Sequence, residues 1–206
     1  MASRVAFSDQ DLANIAAVLP QFSLREQALW TLGIRTGYRP SELGALRISD
    51  IWAGGAVKGS VTLERRSLKN GRGCHRGSVR SRTLPLTPAA RDMLGRYLLD
   101  RFESRPVAPE EPLFRSKRGR GLSRWQINRI IHEIAQAAGC AREDRAGGHS
   151  LRKTFCQGIY RTTGHDINLT RAVMGHASVV TTMRYLEISE ESAVAAVLAL
   201  DQPRAA

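Results

Sequence analysis

The spacing of apolar residues predicts that the chain begins with helices. Ser8 and Asp11 stand where a capping box would start a helix, and the apolar positions that follow recur at helical intervals until Pro20. A second amphipathic run covers residues 23–36 and stops before Gly37, a residue typical of helix C-caps. Two helices joined by a short turn are therefore expected at this end of the chain.

A third helix is predicted next, and after it the pattern changes from helical periodicity to alternation. Pro40 suits the first position of a third helix, with Leu43, Leu46 and Ile48 as its buried candidates. Further on, residues 61–63 and 82–86 read as two strands, and the basic, glycine-rich residues 70–77 read as the loop between them. Pro85 places the second strand at a sheet edge. A β-hairpin is therefore predicted after the third helix.

Helical periodicity returns for the rest of the chain. Helices are predicted over residues 88–102, 123–138, 149–161, 166–174 and 179–188, and an alanine- and valine-rich tail helix over 190–200. The predicted fold class is mainly α with a small antiparallel β-sheet.

Charge is concentrated in the middle of the chain. The net charge is +12, and residues 61–130 alone carry 17 basic and 6 acidic side chains. Clustered arginine and lysine indicate an anionic polymer, most often nucleic acid, as the partner. A basic, solvated surface without a specific ligand is the alternative.

Several classes of protein and site are not indicated. No apolar run is long enough for a membrane span and no secretory signal is visible, so a cytoplasmic protein is expected. The three widely spaced cysteines Cys74, Cys140 and Cys156 do not suggest a disulfide framework or a zinc knuckle. Metalloprotease, nuclease and P-loop motifs are missing from the sequence. We expect no metal, no cofactor, no small-molecule substrate and no membrane partner.

Three segments carry residues suited to chemistry on a phosphate: Thr36-Gly37-Tyr38-Arg39-Pro40-Ser41-Glu42-Leu43, His149-Ser150-Leu151-Arg152-Lys153-Thr154, and Gly175-His176 followed nine residues later by Tyr185. With these boxes in this order and at these intervals, the chain resembles the tyrosine recombinase (phage integrase) family over about residues 7–189. The resemblance implies the catalytic-domain fold of that family.

The resemblance also implies a role for each matching residue. Arg39 and Arg152 correspond to the arginine pair that grips the scissile phosphate, a task suited to the guanidinium fork. Backbone N–H groups at the helix start after Arg39 would also favour an anion. His149 corresponds to the group that handles a proton, and His176 to a second histidine that hydrogen-bonds the phosphate. Tyr185 corresponds to the nucleophile, and Tyr185 is predicted to lie on a helix.

Other implied roles fall on the hairpin and the basic segments. Lys69 resembles the lysine that protonates the departing 5′ oxygen, with Lys58 as the fallback, and Glu42 resembles a glutamate that buttresses the arginine box. The surplus of positive charge adds a set of candidate DNA-binding residues: Arg72, Arg76, Arg115, Lys117, Arg118 and Arg120.

The predicted organisation is a single catalytic domain over residues 1–206, with a core at 7–189 and the tail helix at 190–206. The additional N-terminal DNA-clamping domain of most family members is not expected here. The chain would then be either a short protein, similar in size to fimbrial phase-switch recombinases, or a fragment of a longer one. The tail would dock either on its own domain or on a neighbouring subunit.

The resemblance implies a function. We expect a site-specific recombinase that joins double-stranded DNA to Tyr185 through a 3′-phosphotyrosine link, as a nucleoid-associated cytoplasmic protein. It would assemble a tetrameric synapse on DNA and be a monomer or weak oligomer when free. The rivals are a type IB topoisomerase, which reseals the same strand, and a non-catalytic DNA-binding factor of the same fold.

Overall fold

The computed structural model describes residues 5–63 and 82–186, most of which lie in α-helices. The predicted fold class, mainly α with a small antiparallel β-structure, is confirmed. In the described part of the chain the helices are α1 (Asp9–Val18), α2 (Leu24–Thr36), α3 (Pro40–Ala45), α4 (Ile48–Ile51), α5 (Pro88–Ser104), α6 (Arg124–Ala137), α7 (Gly148–Thr162), α8 (Ile167–Met174) and α9 (Val179–Met183).

Serine caps fix the starts of several helices. Ser8 accepts a hydrogen bond from the N–H of Asp11, whose carboxylate in turn accepts from Ser8, so the predicted capping box at α1 is present. The same reciprocal arrangement begins α2 at Ser23 and α6 at Ser123. Each box satisfies N–H groups that have no partner within the helix, so these boundaries follow from local sequence alone.

The β-structure consists of two small antiparallel pairs, not the single sheet predicted. Strand β1 (Trp52–Ala53) pairs with β2 (Ala56–Val57) across a two-residue glycine turn. The predicted hairpin strands are β3 (Ser60–Leu63) and β4 (Arg82–Pro85), in register with Val61 opposite Leu84. The β1–β2 pair is so short that its residues show no alternation the sequence could reveal.

Helix α2 lies at the centre of the hydrophobic core. It packs against α5 on one side and α7 on another, and Leu29 and Leu32 are completely buried. Buried leucines from the neighbouring helices, among them Leu94 and Leu151, complete the same core. This packing places the C-terminal end of α2, where the first box begins, beside the N-terminal half of α7.

The C-terminal end of the described chain differs from the prediction. Helix α9 ends at Met183 rather than continuing to residue 188, and residues 184–186 form a turn and bend. Tyr185 therefore lies just after a helix and not on one. The tail helix predicted over residues 190–206 lies outside the described residues. Among the described helices, none combines the length and apolar character needed to cross a membrane.

Candidate active site

The first box begins where the chain leaves α2 through a left-handed residue. Gly37 has φ +59° and caps the helix, its N–H donating to the Gly33 carbonyl at 2.9 Å. A Cβ at this position would also come within 2.4 Å of the Phe155 ring on α7. Only glycine meets both demands without strain. The turn that carries Tyr38 and Arg39 is thereby pressed against α7.

Arg39 is held by a buried carboxylate at the start of α3. Its backbone N–H donates to Glu42 Oε2 at 2.7 Å and its Nη1 donates to Oε1 at 2.7 Å. The Glu42 side chain is 1% exposed, whereas that of Arg39 is 28% exposed. Glu42 thus accepts the N–H of Arg39, the residue that precedes the helix start. The carboxylate orients the guanidinium and leaves part of it accessible.

Arg152 lies fully buried on α7 and is the centre of the cluster. Its Nη1 donates to the Gly37 carbonyl at 2.7 Å, and its Nη2 donates to the Met174 carbonyl at 3.0 Å. Nη2 also lies 2.7 Å from Nε2 of His176. Nε has no hydrogen-bond partner among the described residues. Burial, and next the nearby charge of Arg39, lower the pKa of this guanidinium.

His149 lies in the first turn of α7, three residues before Arg152. The side chains of residues i and i+3 lie on one face of a helix, so the two point to the same side of α7. Gly148 packs so closely on Pro40 that a Cβ there would come within 2.5 Å of the proline ring. The starts of α3 and α7 therefore meet, which brings the His149 turn next to Arg39.

His176 follows the left-handed C-cap of α8, Gly175, and is 5% exposed. Its two ring nitrogens contact different groups: Nε2 faces Arg152, and Nδ1 lies 3.0 Å from Oγ1 of Thr182. Burial, followed by the charges of Arg152, Arg39 and Arg82, lowers the pKa of His176 to about 3. The imidazole is therefore neutral at physiological pH.

Tyr185 packs against both of these groups. Its ring centroid lies 5.2 Å from that of His176, and the Cζ of Arg152 lies 5.7 Å from it. The backbone N–H of Tyr185 donates to the Thr182 carbonyl at 2.9 Å. The guanidinium of Arg152 is therefore held over the face of the phenol ring. The segment that ends in Tyr185 therefore contacts Arg152 of the second box.

Arg82, at the first position of β4, joins two boxes and was not among the predicted site residues. Its Nη2 donates to the Thr36 carbonyl at 2.5 Å and its Nη1 to the Met174 carbonyl at 3.3 Å. Its Cζ also lies 5.3 Å from the Tyr38 ring centroid. One signal was available: Arg82 precedes the buried Leu84 by two residues and so lies on the core-facing side of the strand.

Several predicted site residues are elsewhere or are not described. Lys69, Arg72 and Arg76 lie outside the described residues. The fallback, Lys58, donates its Nζ to the Ser49 carbonyl at 2.6 Å. The remaining basic candidates, all exposed, lie on a tight turn closed by a bridge between Arg115 and Gly121: Arg115, Lys117, Arg118 and Arg120.

The turn over residues 115–121, here called the basic turn, packs against α3. A Cβ on Gly121 would come within 2.3 Å of the Gly44 carbonyl. Gly44 lies five residues from Arg39, or about 7.5 Å along a helix axis. The Arg115 guanidinium lies over its own turn, where a Cβ on Gly119 would come within 3.1 Å of it. The basic turn therefore begins beside the helix that carries the first box.

The cluster combines fixed positive charge with a phenol. The charges of Arg39, Arg82 and Arg152 all act on the neutral imidazole of His176, against which the Tyr185 ring packs, and Glu42 is already paired with Arg39. Such a site suits an anion attacked by the phenol. Within residues 5–63 and 82–186, no group of three or more His, Cys, Asp or Glu side chains is placed to hold a metal ion.

Comparison with known proteins points to one family. The model of the phage integrase family matches residues 7–192. Tyrosine recombinase XerC of Thermodesulfovibrio yellowstonii is 29% identical over 169 residues, which cover 80% of this chain and 50% of that protein. Tyrosine recombinase XerC of Corynebacterium efficiens is 31% identical over 168 residues, 81% of this chain and 47% of that protein. The chain spans about half the length of the curated relatives it matches.

Solved structures share the fold. The crystal structure of XerA recombinase superposes with a TM-score of 0.73 at 24% identity, over 100% of this chain and 66% of that one. XerH site-specific recombinase, in a post-cleavage complex with its palindromic difH substrate, superposes with a TM-score of 0.75 at 21% identity, over 98% of this chain and 55% of that one. At these identities the likeness concerns the fold alone.

Proposed function

This chain belongs to the phage integrase family, and from that premise we propose that it is a site-specific recombinase. It cleaves and rejoins DNA strands through a covalent 3′-phosphotyrosine intermediate. The observation that carries the proposal is the convergence of the three boxes on one point. Arg152 contacts both the Gly37 carbonyl of the first box and His176 of the third, and its guanidinium lies beside the Tyr185 ring.

In the cleavage step, the hydroxyl oxygen of Tyr185 attacks the scissile phosphorus, and the bond from phosphorus to the 5′ oxygen breaks. His149 takes the phenolic proton, and Lys69 protonates the departing 5′ oxygen. Arg39 and Arg152 stabilise the negative charge that builds on the phosphate in the transition state. A hydrogen bond from His176 to a phosphate oxygen would add to this stabilisation.

Rejoining reverses these steps with a 5′ hydroxyl from a partner strand. The phosphodiester energy is retained in the phosphotyrosine bond, so the reaction needs no ATP. We propose double-stranded DNA as the substrate, a tetrameric synapse as the active assembly, and a nucleoid-associated site of action. The Tn1549 transposon integrase, one of the proteins with the same fold, has a structure in complex with a circular intermediate DNA, which supports DNA as the partner.

The organisation proposed is one catalytic domain. Residues 7–189 would form its core, and the segment 190–206 would be the tail helix. The match of the family model to residues 7–192 is consistent with that division.

A covalent adduct tests the proposal. Nicked suicide substrates, taken from DNA flanking the gene, should give an SDS-stable protein–DNA adduct with the wild-type chain and none with Tyr185→Phe. Tyr160→Phe is the matched control, because Tyr160 lies on α7 and packs against His165. It should form adduct at the wild-type rate. Adduct formed by Tyr185→Phe would overturn the choice of nucleophile.

A second measurement separates recombination from strand relaxation. A plasmid carrying two copies of a cleaved site should yield exchanged products. Relaxation of supercoils without exchange would instead support the topoisomerase alternative. Binding of DNA without any adduct would support the alternative of a non-catalytic DNA-binding factor.

A further inference from the structure

The contacts of His176 define which ring nitrogen carries its proton. Arginine has only donors, so the 2.7 Å contact between Arg152 Nη2 and His176 Nε2 requires Nε2 to accept. The neutral ring then has its proton on Nδ1, which donates to Oγ1 of Thr182 at 3.0 Å. In the free protein His176 is therefore the Nδ1–H tautomer.

This tautomer is unsuited to the role that the proposed function gives His176. A ring nitrogen that hydrogen-bonds a phosphate oxygen must donate, and Nε2 in the free protein has no proton to donate. Nδ1 is not available instead, because Thr182 covers it and is completely buried. Phosphate binding must therefore separate Arg152 from Nε2 and move the imidazole proton.

We propose that Thr182 is a positioning residue whose hydroxyl allows His176 to exchange tautomers when phosphate binds. In the free protein the hydroxyl accepts from Nδ1–H. In the complex it donates to unprotonated Nδ1, while Nε2–H donates to the phosphate. The ring loses one proton from Nδ1 and gains one at Nε2, both exchanged with solvent, so it stays neutral. This inference rests on the proposed function of the site.

The position of Thr182 suits a hydroxyl that works in both directions. A hydroxyl can both donate and accept, and no other side chain is recorded within hydrogen-bonding distance of Nδ1 among the described residues. The Thr182 carbonyl accepts the N–H of Tyr185, so one residue holds the histidine and the attacking segment together. The unpartnered Nε of Arg152 leaves a donor free for the phosphate once the guanidinium moves.

Nitrogen-15 NMR of the histidine rings tests the free state. The full chain has five histidines, and the His176 signals are those lost in His176→Asn. The proposal expects Nδ1 protonated and Nε2 unprotonated at pH 7.5 without DNA. A free ring with its proton on Nε2, or on both nitrogens, would overturn the proposal whether or not the protein cuts DNA.

The same measurement with DNA tests the exchange. Tyr185→Phe is mixed with a duplex oligonucleotide that gives adduct with the wild-type chain. The ring is expected to change to Nε2–H with Nδ1 unprotonated. An unchanged tautomer, or a doubly protonated ring, would contradict the exchange.

Single-turnover cleavage then tests Thr182 itself. Thr182→Val has nearly the same shape but no hydroxyl, and leaving the buried Nδ1 without a partner should slow cleavage roughly 10- to 100-fold. DNA affinity should change less than the cleavage rate, because most of the affinity comes from contacts with the phosphate backbone. Thr182→Ser, which restores the hydroxyl, should recover most of the rate. Equal rates for the valine and serine variants would refute the role of Thr182 while leaving the proposed function intact. Absence of adduct with the wild-type chain would refute the proposed function instead.

Discussion

Arg39 and Glu42 form a two-point contact in which the carboxylate accepts both the backbone N–H and the guanidinium Nη1, each at 2.7 Å. The carboxylate is almost wholly buried, whereas the guanidinium is partly exposed. Glu42 thus acts on the site indirectly: it caps α3 and sets the direction of Arg39. Its charge also partly offsets the three clustered guanidinium groups.

Glu42→Gln should therefore weaken both stability and cleavage. One amide oxygen cannot replace a carboxylate that accepts twice, so we expect the free energy of unfolding to fall by about 1–3 kcal/mol. Cleavage should fall further than DNA binding, because Arg39 loses its orientation. Urea denaturation and adduct formation measure the two effects. Glu26→Gln makes the same change in the exposed capping box of α2 and should cost about 1 kcal/mol or less. Equal losses in the two variants would contradict a special role for Glu42.

Arg82 should be needed for its shape as well as its charge. Its fork reaches the Thr36 and Met174 carbonyls at once, which a lysine ammonium cannot match with the same geometry. Arg82→Lys should lower the free energy of unfolding by about 1.5–3 kcal/mol and slow adduct formation. Arg91→Lys, on the exposed side of α5, is the control and should be neutral. Wild-type cleavage by Arg82→Lys would show that the bridge between the boxes is dispensable.

The sequence predicts well whatever is determined locally. The capping box at Ser8, the helix starts near residues 23 and 123 and the helix end at Gly37 depend on neighbours along the chain, and each is present in the structure. The motif intervals likewise singled out Arg152, His176 and Tyr185, which lie close together in the structure. The early end of α9 was not predictable, because residues 184–186 leave the helix where Tyr185 packs on His176 and Arg152.

Contacts between distant segments explain the other misses. The role of Arg82 depends on two carbonyls that are 46 and 92 residues away in sequence. The tautomer of His176 depends on an arginine 24 residues away. Neither hydrophobic periodicity nor a short sequence motif specifies partners that are so far apart in the chain.

The buried histidine should make stability depend on pH. His176 has a pKa of about 3 in the folded protein, against 6.5 for an unperturbed histidine. Between these values the unfolded chain binds a proton that the folded one does not. The stability due to this group is therefore complete above pH 6.5 and is lost as pH falls toward 3.

Urea denaturation of the wild-type chain and of His176→Gln, from pH 7.5 down to pH 5, measures this contribution. The wild-type chain should lose up to about 1.4 kcal/mol more than the variant for each pH unit below 6.5. Other titrating groups act in both proteins and cancel in the difference. Parallel stability curves would mean that the folded protein accommodates the imidazolium.

Salt dependence can show whether the basic turn contacts DNA. Arg118 and Arg120 are exposed on this turn, whereas the Arg115 guanidinium lies against its own backbone near Gly119. Each phosphate contact that is lost should reduce the slope of log affinity against log salt by about 0.9. We expect Arg118→Gln and Arg120→Gln to show that reduction on specific and non-specific duplexes alike, and Arg115→Gln to show less.

The control for this measurement is Arg96→Gln, which removes an exposed arginine from α5. If only the overall charge of the protein mattered, Arg96→Gln and Arg118→Gln would change affinity equally, because each removes one positive charge. A phosphate contact at the basic turn would instead change the slope in Arg118→Gln and leave it unchanged in Arg96→Gln. Since the turn packs against α3, which begins just after Arg39, DNA held there would lie near the proposed site of cleavage. Unaltered slopes in all the turn variants would place the turn on a face directed away from DNA.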